Sequence, residues 1–431
     1  MRRIVICLFG AWLAAGGAAQ ATLIGSFDRP AAKAGAANAS PRDKALSDGR
    51  AALAKHDVAA AQKAFQEALR VDPKSAKAMV GLADVALARQ DSRAAWDWLQ
   101  KAVATAPGDS GIHDAVGRYH YVQKEFPQAE QAFKQAVYLD SSNVQAQVDL
   151  GDFYMNAYHA PLRAIEPYRA ALKSNPDHAG AHYALGMALM AMNKPEEAEA
   201  EFARTVSLSP TNPLPHQALG RLYASRGQID KALAQYDEAL RIQPDFVFAM
   251  VGKGDIEFAR KAFDQAIAQY QKALRIAPKY EEALLKTGMA YEAQGRKGEA
   301  EKSYLAVIAV NPKAALAYNN LAWMAAESRQ KPDQALKWAR QAVDLAPNVP
   351  QFQDTLGWAL RSAGKLGEAE RALSDASRMK PELAEVQYHL GIVYLDQKKR
   401  VEAETAFKRA LELDKSHAGA QQGLKTLAAK P

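Results

Sequence analysis

Across residues 42–415 apolar positions recur three and four apart, in stretches of about a dozen residues separated by short polar turns. This spacing lays one face of a helix, and the period of two that marks a strand is missing. The stretches come in pairs, and the pairs repeat. Segments closing on Pro73, Pro107, Pro176, Pro210, Pro244, Pro278, Pro312, Pro347 and Pro381 follow each other at 34 residues, with one extra residue before Pro176 and one before Pro347; Ser141 and Lys415 occupy the remaining places. A fixed period of this length predicts an array of stacked helical units, not separate cores.

The residue types inside each unit fit that reading. Eight positions in stands a Gly (Gly49, Gly117, Gly151, Gly186, Gly220, Gly254, Gly288, Gly357, Gly391), or Ala83 or Ala322 in its stead. An Ala marks the second half of every unit, from Ala61 to Ala403, and four residues later comes a large apolar residue in most, such as Phe65, Tyr270 or Phe407. Small residues let two helices approach, and the ring fills the space beside them, because interiors tolerate few voids. The Pro is expected to stop the second helix and start the next, fitting only a first helical turn. Gly227, Gly295, Gly364 and Asn193 supply the turn inside a unit.

These landmarks resemble the tetratricopeptide repeat. The resemblance implies an all-α chain: a right-handed α-solenoid of eleven helix-turn-helix units over residues 42–415, beginning at Arg42, Ala76, Ser110, Val144, Ala179, Pro213, Val247, Glu281, Ala315, Pro350 and Ala384. Residues 416–431 read as a capping helix and tail, with Leu424 and Leu427 toward the last unit and Gln421, Gln422 and Lys425 toward water. The fourth unit is expected to be irregular, since it holds the extra residue and Pro167 lies inside its second helix, where it removes a hydrogen bond and kinks the chain.

The first residues follow another logic. Arg2 and Arg3 precede an apolar, charge-free run over residues 4–19, and Ala19-Gln20-Ala21 offers a small-x-small cleavage site. This predicts a signal peptide at residues 1–21, a flexible leader at 22–41 and an exported protein, periplasmic or secreted. No later run approaches the length of a membrane span. Cys7, the sole cysteine, lies within the signal, so disulfides and thiolate chemistry are excluded from the mature chain.

A net charge of +7 would suit nucleic acid only if it were concentrated on one face, and here both signs are spread evenly along the chain. Nucleic acid is therefore not an expected partner. Walker, Rossmann, HExxH and GxSxG patterns are absent, so the chain reads as non-enzymatic, with no catalytic residues and no cofactor. His178 and His182 have metal-pair spacing, but His178 falls in a turn and no acidic third ligand is suitably placed, so no metal is expected. His113 and His120 read as packed.

In the tetratricopeptide family one face of each first helix lines a concave groove. Directly after the helix Gly, this chain carries Arg50, Asp84, Arg118 and Asp152, then Met187, Arg221, Asp255, Met289, Trp323, Trp358 and Ile392. Nearby groove places hold Tyr183, Leu285, Asn319 and Tyr388. The resemblance thus points to Met289, Asn319, Trp323, Trp358, Tyr388 and Ile392 as a binding groove for a protein or peptide, since exposed aromatics dominate interface energies. The other reading, that these aromatics tuck into the core, stays open on the sequence. YNNLAWMAAE from Tyr318, DTLGWAL and VQYHLGIVYL are similar to exported bacterial proteins of exopolysaccharide export and envelope protein sorting. An interaction scaffold of an envelope or exopolysaccharide export machine is the expectation, with a protein guiding a polysaccharide as the alternative and an unrecognised enzyme as a remote third.

Overall fold

The computed structural model describes residues 40–429; the expected signal segment, nearly all of the expected leader and residues 430–431 lie outside it. Among the described residues there are 23 helices and no strand. They divide into two compact units, at Pro244 and Asp245. The first unit holds α1 (Pro41–Ala54), α2 (Val58–Val71), α3 (Ala76–Ala88), α4 (Ser92–Thr105), α5 (Ser110–Val122), α6 (Phe126–Leu139), α7 (Val144–Asn156), α8 (Pro161–Ser174), α9 (Ala179–Ala191), α10 (Pro195–Leu208), α11 (Pro213–Ser225) and α12 (Ile229–Ile242). The second holds α13 (Val247–Ala259), α14 (Phe263–Ile276), α15 (Glu281–Ala293), α16 (Lys297–Val310), α17 (Ala315–Ser328), α18 (Pro332–Leu345), α19 (Pro350–Ser362), α20 (Leu366–Met379), α21 (Ala384–Asp396), α22 (Arg400–Leu413) and α23 (Ala418–Ala429). Eleven helix-turn-helix pairs are followed by one last helix.

In both units each helix packs on the next, and first helices of several neighbouring pairs also touch, as α5 does α7 and α19 does α21. Among the described residues no two second helices pack on one another to the same extent. First helices therefore line the inner face of each unit. The pairs close around rings set against the helix glycines: a Cβ placed on Gly220 would lie 2.7 Å from Tyr236 Cε1, and one on Gly117 2.6 Å from Phe133 Cδ1. Tyr270, Tyr304, Phe202 and Phe407 are fully buried in these slots. At the end of the chain Leu424 and Leu427 pack on Phe407 and Ala410, while Gln421, Gln422 and Lys425 are exposed.

Two local features differ from expectation, the place of the periodic Pro and the residues of the turns, each for a physical reason. The periodic Pro does not start a helix. Pro73 sits in the turn after α2, two residues beyond its end, where a residue that cannot continue a helix is favoured. The fourth unit is irregular as expected, its extra residue giving a four-residue turn, 157–160, and Pro167 is buried within α8 (Pro161–Ser174). The second extra residue instead lengthens α17 to 14 residues. Finally, the turn inside each pair contains one residue with positive φ. Glycine fills it at 227, 295 and 364, but His56, Gln90, Lys124, His159, Asn193, Lys261, Arg329 and Lys398 adopt it elsewhere.

The two units also differ at their helix starts. Asp57, Ser75, Asp91, Asp109, Asn143 and Asn212 each accept a hydrogen bond from a backbone N–H of the helix that follows. In the second unit Ala262, the residue before α14, holds nearly the backbone angles of Asp57 (φ −83°, ψ 64° against φ −85°, ψ 80°) with no side chain to accept. Ala262→Asp is expected to stabilise the protein by about 1 kcal/mol, read as a higher denaturant midpoint at unchanged slope. An unchanged midpoint would show that water already satisfies those N–H groups.

Candidate functional site

The aromatic groove residues come together on the inner face of α17, α19, α21 and the start of α23. Trp323 and Trp358 are half-buried and stack, with ring centroids 6.0 Å apart at 22°. Trp358 Nε1 donates to Glu327 Oε1 at 2.8 Å, and the Arg361 guanidinium lies 4.5 Å from its ring. Arg361 is itself held by Asp396 through Nε at 2.6 Å. Tyr388 is half-buried between His389 (5.4 Å) and His417 (4.8 Å), and Ile392 packs with it against the last core cluster. One turn before Trp323, Asn319 has a buried Oδ1 that accepts no hydrogen bond, while its Nδ2 donates at 3.4 Å to Asn320. Met289 does not join them. It is buried in its own pair at 5% exposure, and Tyr183 in the first unit is likewise core. What this arrangement offers is an aromatic strip with polar edges, fit to hold an apolar segment while hydrogen-bonding its backbone.

Beneath the strip lies a residue the sequence reading passed over. His389 is 1% exposed and its ring is 4.4 Å from Trp358 and 5.6 Å from Trp323. Its Nδ1 stands 2.6 Å from Oδ1 of the fully buried Asp354. The signal was present: two residues before the helix Gly, several pairs carry Gly81, Ala115, Ala184, Ala218 or Gly252, and this one carries His.

The inner face of the first unit has another character. Arg118 on α5 is met by Asp84 at 3.9 Å, Asp114 at 3.6 Å and Asp149 at 4.0 Å, from three successive first helices. Burial, then the neighbouring Asp149 carboxylate, push Asp114 well above the ordinary aspartate range, outweighing the pull of Arg118. A carboxyl whose pKa is raised on folding binds its proton more tightly in the native state. Its ionisation therefore costs stability at neutral pH, and the cost is relieved as pH falls through the raised pKa toward about 4. Asp114→Asn should raise the melting temperature at pH 7, and the gap from wild type should close on acidification. A gap independent of pH would mean that the carboxylate is not the source. In the second unit, Lys286 on α15 is buried between Asp255 (2.5 Å) and Glu282 (2.7 Å). Burial lowers its pKa, but the two carboxylates outweigh this and hold the ammonium charged.

His178 and His182 do not form a metal pair. His178 caps α9 by accepting from the Ala181 N–H, and His182 lies against Glu201 and the Pro176 carbonyl. Among the described residues no cluster of three or more His, Cys, Asp or Glu is disposed to hold a metal, and no helix is long and apolar enough to cross a membrane.

A tetratricopeptide repeat family model matches residues 46–110, 161–213, 218–281, 285–350 and 355–418, well over half of the chain. The chain belongs to the tetratricopeptide repeat family. The "Cellulose synthase operon protein C" of Xanthomonas axonopodis pv. citri is 30% identical over 177 residues, 38% of this repeat chain and 11% of that protein. A TPR repeat-containing protein of Pseudomonas aeruginosa is 34% identical over 103 residues, 24% of this chain and 17% of that one. The chain thus spans under a fifth of the curated relatives it matches. Among solved structures, the APC/C hetero-tetramer Cut9–Hcn1 aligns over 90% of this chain and 96% of that one, at 15% identity and a TM-score of 0.52. It shares the fold. Tetratricopeptide repeats imply protein or peptide partners.

Proposed function

We propose that this chain is an exported scaffold whose second unit docks an apolar, aromatic-bearing segment of a protein partner along Trp323 and Trp358. The observation that carries the proposal is the pair of stacked, half-buried indoles on an inner face whose neighbouring Asn319 keeps an unused acceptor. Aromatic anchors of this kind dominate binding energy where they meet a partner. Export rests on Arg2, Arg3, the apolar run after them and the Ala19-Gln20-Ala21 site. The partial likeness to a cellulose synthase operon protein favours assembly of an envelope machine that exports polysaccharide.

The same likeness gives a second reading, in which the indoles stack on sugar rings and guide the polysaccharide itself. The test uses the mature chain on a peptide array and a glycan array in parallel. Retention of aromatic peptides, lost in Trp323→Ala, is the expected result. Retention of glycans alone would replace the docking reading with the second. N-terminal sequencing of the protein recovered from the cell envelope fraction should begin at Thr22; an intact Met1 there would replace the cleaved signal with an uncleaved anchor, and recovery from the cytoplasmic fraction alone would remove export.

A further inference from the structure

We infer that His389 is the positioning residue of the Trp323–Trp358 face and that its protonation sets the arrangement of the two indoles. Both ring nitrogens of His389 face carboxylates: Nδ1 meets Asp354 Oδ1 at 2.6 Å, and Nε2 meets Glu385 Oε1 at 3.4 Å. Ionised carboxylates only accept, so a neutral imidazole satisfies one of the two and turns a lone pair on the other. Two protons meet the geometry, one shared between Nδ1 and Asp354 and one on Nε2. His417, on the other oxygen of the same Glu385, provides the contrast. Its Nε2 meets Glu385 Oε2 at 3.2 Å while its Nδ1 accepts the Ala420 N–H at 3.2 Å, which a neutral ring satisfies fully.

Other charged and titratable groups stand around the site. Glu327 on α17 is taken by the Trp358 indole, Arg361 on α19 by Asp396 on α21, and Tyr388 flanks the imidazole on α21. Arg361, as a second cation at the Trp358 ring, opposes the charge on His389; Asp354 and Glu385 favour it. Loss of the Nε2 proton sets a lone pair against Glu385. Either the ring tilts or Glu385 swings out, and Trp358, 4.4 Å from the ring, moves with it. On the docking reading above, the partner is then held more tightly where His389 is protonated.

The experiment needs no partner. The full chain is labelled with 5-fluorotryptophan, and the Trp323 and Trp358 fluorine resonances are assigned by Trp323→Phe and Trp358→Phe. Both should shift together in one proton-binding step between about pH 5 and 8. The step should vanish in His389→Gln, persist in His417→Gln and move to lower pH in Glu385→Gln. Resonances flat across this range in the folded protein, or a step surviving in His389→Gln, would overturn the inference. If His389→Gln fails to fold, Glu385→Gln decides, and a step it leaves unmoved overturns the inference equally. A clear step in a protein that retains no peptide would remove the docking reading and leave the proton-linked face standing.

Discussion

Phe407→Ala should lower the stability of the second unit by about 3–5 kcal/mol, the usual cost of emptying a fully buried aromatic site. The ring is 0% exposed and is gripped from two sides, since a Cβ built on Gly391 or on Gly423 would overlap it. Gly391→Ala alone should cost about 1–3 kcal/mol, because the added methyl meets a ring that cannot retreat and overpacking forces the helices apart. The double variant should cost clearly less than the two together, as the methyl enters space the ring has left. The chain already holds natural versions of this exchange. Where the helix Gly is replaced by Ala83 the facing residue is Leu99, and where it is replaced by Ala322 the facing residue is Ala339. Repeat arrays unfold by neighbour interactions, so the loss should show as early melting of the last pair and α23 in hydrogen exchange. Strict additivity in denaturant melts would show that glycine and ring are not in mutual contact.

The same pairing explains which parts of the fold the sequence made legible. Gly391 and Phe407 lie 16 residues apart within one helix pair, and their complementarity is local and repeated, so it survives as a period. The turns were legible only where Gly or Asn stands in the left-handed position. His56, Gln90 and Lys124 adopt it with no signal in their own chemistry, because the closing of the pair imposes it. The inner face was the least legible. Met289 and Trp358 occupy the same place in their pairs, yet one is core and the other half-buried, since coverage depends on the side chains of the neighbouring first helix. His389 was overlooked because its meaning comes from Asp354 in the preceding pair, 35 positions back.

The indoles allow a second large effect to be separated from the first. Trp323→Ala and Trp358→Ala should each weaken binding of an array-selected peptide by about 2 kcal/mol or more, roughly thirtyfold in Kd. Folding stability should fall less than the 3–5 kcal/mol of a fully buried aromatic, because each indole keeps an open edge and only part of its apolar area leaves water on folding. Trp358 should cost the more of the two in stability. It carries the Glu327 hydrogen bond, packs on the Ala322–Ala359 cluster and lies 4.4 Å from the buried His389 ring, which loses that contact when the indole is gone. The effects on binding should not add, since the rings stack on each other and removing one frees the other to move. Thermal melts run beside peptide titrations at fixed pH resolve both quantities. A melting loss as large as that of Phe407→Ala, with affinity per folded molecule unchanged, would place the indoles in the core and leave the inner face without its anchors.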